Sequence, residues 1–391
     1  MRIENLRRPD VAMCVRALAT VLLSLALSPV QAASFVYVSN ADDGDLSAFA
    51  LDQQSGKLHP LGRAAAAPKV MSQAVSPDAK YLFASIRSEP FSVMSWRIEA
   101  DGRLSPVARS PLPNSMAYLS VDRSGQYLLS ASYGGDLVSV NHIAQGRVGD
   151  RPEQVIHTGK RAHAILVSPD NQFAYVSLLG ADQMLEYRFD ANTGQLTANG
   201  PGFVNVETEG VTGPRHFAIA PGLIAGRRYL YVVTEMAGTV DRFVVQQDGT
   251  LLAVDTVSSV PKGADMERGL PRPVVGGDDG LPPSIKPRIW QADIHLTPDG
   301  RFLYTSERTS SYLSLFKVDQ ASGALSYVES VPTEQQPRGF AIDSTGRFLI
   351  CSGQKSTQIT VYQIGPADGR LKALGQYAVG KGANWVSIVN R

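Results

Sequence analysis

Short apolar runs alternate along this chain with polar, glycine-rich breaks, and the alternation has a fixed period. Its plainest mark is a phrase in which a tight polar turn leads into an aromatic and aliphatic run. Copies read SPDAKYLFASI from Ser76, SPDNQFAYVSL from Ser168, TPDGRFLYTSE from Thr297 and DSTGRFLICSG from Asp343, with a weaker one, DRSGQYLLSAS, from Asp122. Ser76 to Asp122, Asp122 to Ser168 and Thr297 to Asp343 are each 46 residues apart. One period holds four runs of strand character. In residues 116–159 they are MAYLSVD, QYLLSAS, DLVSVNHI and PEQVIHTG, rich in aromatic and β-branched residues and separated by Asp, Gly, Ser and Pro. A period of about 45 residues with four short strands per unit is the signature of an all-β propeller, one blade per repeat.

The same grammar covers 71–112, 162–206, 214–260, 290–333 and 337–380, which makes six complete units. The stretch FVYVSNADDGDLSAFALDQQSGKLHPLG supplies the last three strands of a seventh but lacks its first. Residues 384–390, NWVSIVN, match a first strand with nothing after it. The two ends therefore complete one blade together, and the pattern predicts a seven-bladed ring closed by its own termini. Two places break the repeat. Blade five replaces the Ser-Pro-Asp turn with the longer APGLIAGRRYLYV. Between blades five and six, residues 258–289 are dense in Pro and Gly without a strand pattern. A loop of that length in a compact fold is read as a flap beside the site.

Composition then narrows the picture. A chain of 391 residues with 43% hydrophobic and 19% charged residues can bury one large core. Residues 33–391 are expected to be that single domain. Before it, Arg2, Arg7, Arg8 and Arg16 precede an apolar run, Ala17 to Leu27, and the small-residue site SPVQA ending at Ala32. Residues 1–32 read as an export signal, too short to span a bilayer comfortably, and Met13 would also serve as its start. Pro9 and Asp10 stand where a twin-arginine signal carries hydrophobic residues. Signal removal takes away four arginines, one glutamate and one aspartate and turns the net charge of +1 into −1. No basic field for nucleic acid results, and no membrane insertion is expected of the mature chain. Cys14 leaves with the signal; Cys351, inside the run FLICSG, reads as a small buried hydrophobe.

The fold dictates which distant residues can meet. In a propeller the first strand of each blade lines the channel. The loop entering it and the loop joining strands two and three open on one rim. Counting back six residues from the turn proline, or its equivalent, gives His163, Arg215 and Arg338; one position on stand His216 and Asp293. At the ends of second strands are Arg87, Tyr133, Glu235, Arg308 and the pair Gln354-Lys355. Several cations, carboxylates and imidazoles at one channel mouth form a candidate site for a small molecule. His295, three residues into its strand, reads as an inter-blade hydrogen-bonding histidine; His59, His142 and His157 fall in outer strands or turns and read as solvated.

The stretches GPRHFAI, WQADIHLTPDGRFLYTSERT, PTEQQPRGFAID, GQKSTQITVYQI and YAVGKGANWV closely resemble the bacterial seven-bladed 6-phosphogluconolactonases of the propeller lactonase family. The likeness runs over nearly all of residues 35–391, and the fungal carboxy-muconate cyclase is a more distant member. The resemblance implies making or breaking a lactone ester without a nucleotide cofactor. By likeness to the cyclase's acid–base set it points to His163, Arg215, Glu235 and Arg308 as the catalytic positions. Arg87, Tyr133, His216, Asp293, Arg338, Gln354 and Lys355 remain as substrate-binding candidates.

The repeats contain no Gly-x-Ser-x-Gly elbow and no His-Glu-x-x-His or clustered Cys/His pattern. Glu235 and Asp293 among so many cations would be poor ligands for a divalent ion, so the expectation is chemistry without metal or cofactor. Arg215 and Arg308 would stabilise a developing oxyanion. The same guanidiniums would weaken Glu235 as a base, which leaves base work to His163 and orientation to Glu235. An exported enzyme would meet unphosphorylated sugar lactones, which favours glucono-1,5-lactone. The basic mouth keeps 6-phospho-glucono-1,5-lactone as the alternative, and a non-catalytic extracytoplasmic binding propeller as a second. No Cys-x-x-Cys-His haem site is present. The sequence leaves the oligomeric state open.

Overall fold

A computed structural model of the protein describes Met1 and residues 33–206, 210–273 and 281–391. The export signal read over residues 1–32, Met1 apart, lies outside the described residues, as does 274–280 of the long loop. Residues 33–391 form one compact unit.

The described residues form 29 strands gathered into seven antiparallel sheets, and no helix. Within a sheet the strands follow in sequence order from the axis outward, and the inner strand of each blade touches the inner strand of the next around the ring. Burial follows the same radial order. Second strands such as Tyr81–Ile86 and Phe173–Leu178 are buried almost throughout, because neighbouring blades cover both faces. Outer strands such as Leu58–Ala65 are mostly exposed, with only Leu58 buried and Leu61 and Ala64 half-buried. Blade three departs slightly: its fourth strand is split into Arg147–Val148 and Gln154–His157, both paired to Leu137–Ala144.

Closure takes the form the repeat predicts. The last strand, Ala383–Asn390, pairs antiparallel with the first, Ser34–Asn40, and becomes the innermost strand of that blade. Beyond the ladder, Ser34 Oγ donates to Asn390 Oδ1 at 2.7 Å and the Arg391 amide donates to the Ala33 carbonyl at 2.8 Å. A hydrophobic cluster of Val36, Phe49, Phe348, Ile350 and Val386 seals the seam between the first and last blades.

One device repeats at every blade junction. A left-handed glycine in the turn between strands three and four lies flat on an aromatic ring of the neighbouring blade, as Gly102 on Phe35, Gly249 on Phe173 and Gly369 on Phe302. Gly56 meets Phe348 in the same way across the seam. A Cβ at any of these sites would overlap the ring, so glycine is required twice, for its φ and for its missing side chain. Tyr37, Tyr175 and Tyr231 add hydroxyl donations to the carbonyls of Gly102, Gly249 and Gly323 at 2.8, 2.9 and 2.8 Å.

The repeated turn phrase joins strands one and two. In the Ser/Thr-Pro-Asp version the hydroxyl donates to the Asp two residues on and accepts from the first amide of the next strand, as Phe173 N to Ser168 Oγ at 3.0 Å and Phe302 N to Thr297 Oγ1 at 3.1 Å. In the other version the roles reverse. Asp122 accepts from Ser124 and from Tyr127 N at 2.8 Å, and Asp343 accepts from Thr345 and from Phe348 N at 2.7 Å. Either pair satisfies the same buried amide, which explains why the phrase tolerates the exchange.

Candidate active site

Inner strands alternate sides like any strand, so two consecutive residues should not both reach the axis. A β-bulge at the rim end of four inner strands removes that restriction. Pairing skips between Val70 and Gln73, Ala162 and Ala164, Pro214 and Phe217, and Gln291 and Ile294. The extra residue re-aims the side chains beside it. Arg215 and His216 are thereby both buried at the axis, at different depths.

The result is a chamber of about 320 Å³ at the rim formed by the entering loops and the second-to-third-strand loops. Eight sequence-predicted residues line it: Arg87, Tyr133, His163, Arg215, Glu235, Arg308, Arg338 and Gln354. His216 and Asp293 lie deeper and line a second cavity that opens toward the other end of the channel, with His295 and Tyr118. Lys355 is exposed and outside the chamber. Its neighbour Gln354 takes the inward position, because the turn there directs consecutive side chains apart.

Glu235 is the hub. Its Oε2 accepts from Arg215 Nε and from Arg308 Nη2, both at 2.8 Å, and Arg272 Nη1 lies 3.8 Å from its Oε1. Burial works to raise its pKa, but Arg308, Arg215, Arg272 and Arg338 prevail and bring it down to about 2. The carboxylate is therefore an ionised anchor. The two arginines are held in turn by backbone: Arg215 Nη1 donates to the Ala292 carbonyl, and Arg308 donates to the Trp290 and Gln291 carbonyls at 3.3 and 3.0 Å. Arg215 Nη2 is left without a partner, and Arg308 Nη1 keeps access to the chamber.

His163 stands across from this cluster, its ring edge against Tyr133 with centroids 6.0 Å apart. Burial first, then Arg215, His216, Arg338 and Arg308, hold its pKa well below the usual imidazole value, so it is neutral. Its Nδ1 is buried with no partner among the described residues, while Nε2 retains access to the chamber. Arg338 has no side-chain hydrogen bond or ion pair among the described residues, and Arg87 is engaged by Ser115 Oγ at 2.9 Å and Met71 Sδ at 3.6 Å.

The sequence reading missed Arg272, Pro273, Trp290 and Gln336, all of which line the chamber. The guanidinium carbons of Arg272 and Arg308 lie 3.2 and 3.7 Å from the centroid of Trp290, which fixes the indole between two cations. Tyr133 donates its hydroxyl to the Arg272 carbonyl at 2.7 Å, tying the long loop to blade three. The Gly269 amide donates to the Met236 carbonyl at 2.9 Å and Arg288 Nε donates to Glu267 at 2.7 Å, so the described part of the loop is stitched down. Trp290 sits in the loop entering blade six, and the entering-loop rule could have found it; its apolar character hid it. Nothing in the sequence marks Arg272.

Below the chamber His216 Nδ1 meets Asp293 Oδ1 at 2.7 Å and His295 Nε2 meets Asp293 Oδ2 at 3.1 Å. His295 is thus bonded within its own strand, and its contact to the next blade is an edge-on packing against Phe340 rather than the expected hydrogen bond. Asp293 makes the inter-blade bonds, to His216 and to the Phe340 amide. Among the described residues no group of His, Cys, Asp and Glu side chains is arranged to hold a metal. Cys351 is buried and its thiol is pushed up to about 12 by burial, as suits a hydrophobe. His59 and His157 are exposed, and His142 is half-buried against Tyr127.

A ring of this kind with one ionised acid and one neutral imidazole in a cationic chamber has the parts for ester chemistry of the propeller hydrolase class. Residues 35–388 match the family described as "Lactonase, 7-bladed beta-propeller", and the chain belongs to that family, as a carboxylic ester hydrolase acting on lactones. It is 38% identical over 355 residues to a 6-phosphogluconolactonase of Serratia proteamaculans, covering 90% of this chain and 98% of that one. A 6-phosphogluconolactonase of Pectobacterium carotovorum subsp. carotovorum is 36% identical with the same coverage. Among solved structures, the periplasmic gluconolactonase PpgL of Pseudomonas aeruginosa superposes with a TM-score of 0.77 at 25% identity, over 92% of this chain and 99% of that chain.

Proposed function

We propose that this enzyme opens the δ-lactone of a sugar acid, with glucono-1,5-lactone as its working substrate and gluconate as its product, outside the cytoplasm. The observation that carries the chemistry is the neutral His163, with Nε2 open to a chamber in which five arginines outnumber the single carboxylate. Water attacks C1 while its proton passes to His163 Nε2. The carbonyl electrons move onto oxygen, where Arg308 Nη1 is the donor with access to the chamber and the buried Arg215 guanidinium adds its charge from behind. The tetrahedral intermediate collapses with cleavage of the C1–ring-oxygen bond, and His163 returns the proton to that oxygen. Glu235 stays charged throughout and holds both guanidiniums in place. The reading of residues 1–32 as an export signal and the likeness to a protein named as a periplasmic gluconolactonase support the substrate and the compartment.

A second reading, 6-phospho-glucono-1,5-lactone, is favoured by the names of the relatives and by Arg338, whose charge no described carboxylate contacts. Initial rates on both lactones with the purified mature chain decide between them. A kcat/KM higher for the unphosphorylated lactone is expected, and a tenfold preference for the phosphorylated one would overturn the substrate assignment.

A further inference from the structure

We propose that Asp293 and His216 are positioning residues that fix the tautomer of His163, so that the Nε2 lone pair of His163 faces the chamber. The proposal rests on the reading of His163 as the base and gives that base its orientation. Asp293 is buried, and both of its oxygens are engaged. Oδ1 takes His216 Nδ1 at 2.7 Å and the Ile294 amide at 3.0 Å, and Oδ2 takes His295 Nε2 at 3.1 Å and the Phe340 amide at 3.2 Å. Burial opposes its ionisation, but His295 and His216 more than offset that and keep the carboxyl ionised. An ionised carboxylate can only accept, so His216 carries its proton on Nδ1 and keeps a bare lone pair on Nε2.

That His216 Nε2 is buried with no partner among the described residues. The His163 ring packs edge-on against the His216 ring with centroids 5.2 Å apart, and its Nδ1 is likewise buried and unpartnered. Each nitrogen is the chemical complement the other lacks. No hydrogen bond joins the two rings among the described residues, so the coupling acts electrostatically across the contact. A proton on His163 Nδ1 presents a positive edge to the His216 lone pair, whereas a bare Nδ1 would bury two acceptors together at a cost. With the proton on Nδ1, Nε2 is the nitrogen free to take a proton from water. Tyr118 and Trp385, with ring centroids 5.0 and 5.6 Å from His216, clamp the second imidazole, so the arrangement is held from below as well.

The test is nitrogen NMR on the mature chain labelled with ¹⁵N-histidine, with the His163 signals identified by their loss in His163→Ala. In the wild type, Nδ1 of His163 is expected at a protonated shift and Nε2 at an unprotonated one. In His216→Phe, which keeps a ring against Tyr118 and Trp385, and separately in Asp293→Asn, the two shifts are expected to move toward a mixture. In both variants kcat falls by roughly 10- to 100-fold, a part of the whole general-base contribution, with KM little changed. Neither change lowers the residual rate of His163→Ala further. The opposite tautomer in the wild type overturns the proposal even if neither variant folds. So do unchanged His163 shifts in the variants, or an equal loss of kcat with and without His163. Wild-type turnover in His163→Ala would instead sink the base assignment, and the shifts would still report the tautomer.

Discussion

The two ends of the central channel are built from the same repeat and do opposite things with it. At one end lie the turns between first and second strands, where the phrase recurs almost unchanged because each copy answers one buried amide with a hydroxyl or a carboxylate. At the other end the second-to-third-strand loops differ from blade to blade, ending on Arg87, Tyr133, Glu235, Arg308 and Gln354. Sameness marks a local backbone need shared by the five blades that carry the phrase. Difference marks side chains that need one another, because Glu235 of blade five is ionised only through arginines of its own and neighbouring elements. In a ring of equivalent blades, departure from the repeat is the signal of chemistry.

Substitutions at the two ends should separate these roles. The largest effect is expected from His163→Ala, which removes the base and should lower kcat by about 10²- to 10⁴-fold while the thermal midpoint stays close to that of the parent. Steady-state rates and a melting curve on the same preparation check it; a large loss of stability with intact kcat would assign His163 to the frame instead.

Acid should come next, and it should strike stability before catalysis. His163 and His216 both lie below the ordinary 6.5, His216 at about 3 through burial and then Arg215, and Glu235 lies at about 2 against 4.5. All three bind fewer protons folded than unfolded, so their contribution is complete above about pH 6.5; the histidine part is lost as pH falls below 6.5, for His216 down to about 3, and the Glu235 part between 4.5 and about 2. Denaturant midpoints should drop steadily across that window. Turnover, which needs neutral His163, should stay level through pH 6.5; a halving of kcat near pH 6.5 would show a base of ordinary pKa.

The smallest effect belongs to the turn end. Ser168→Ala leaves the Phe173 amide without its acceptor and should cost about 1–3 kcal/mol of stability with kcat unchanged. Loss of turnover there would mean that the turns also shape the chamber.

Much of this arrangement could be read directly from the chain. The 46-residue spacing gives the blade count, and the missing first strand with its match at 384–390 gives the closure that the Ser34–Asn40 and Ala383–Asn390 ladder displays. Because rim positions recur at fixed distances from each turn, eight residues far apart in sequence could be assigned to one mouth. The misses have separate causes. His216 and Asp293 fall below the chamber because bulges in their strands break the two-residue alternation, and a bulge exists only in relation to a partner strand. Arg272 enters because a loop without periodicity folds back onto Met236 and Tyr133.

Charge state divides in the same way. Residue types and spacing determine that a glutamate, two histidines and several arginines belong near one axis, since repeat geometry is local and propagates along the chain. Only the tertiary structure decides that Glu235 is ionised, that His163 is neutral, and that Asp293 fastens His216 rather than a substrate. Those properties depend on burial and on distances of a few ångströms between blades, which no single repeat contains.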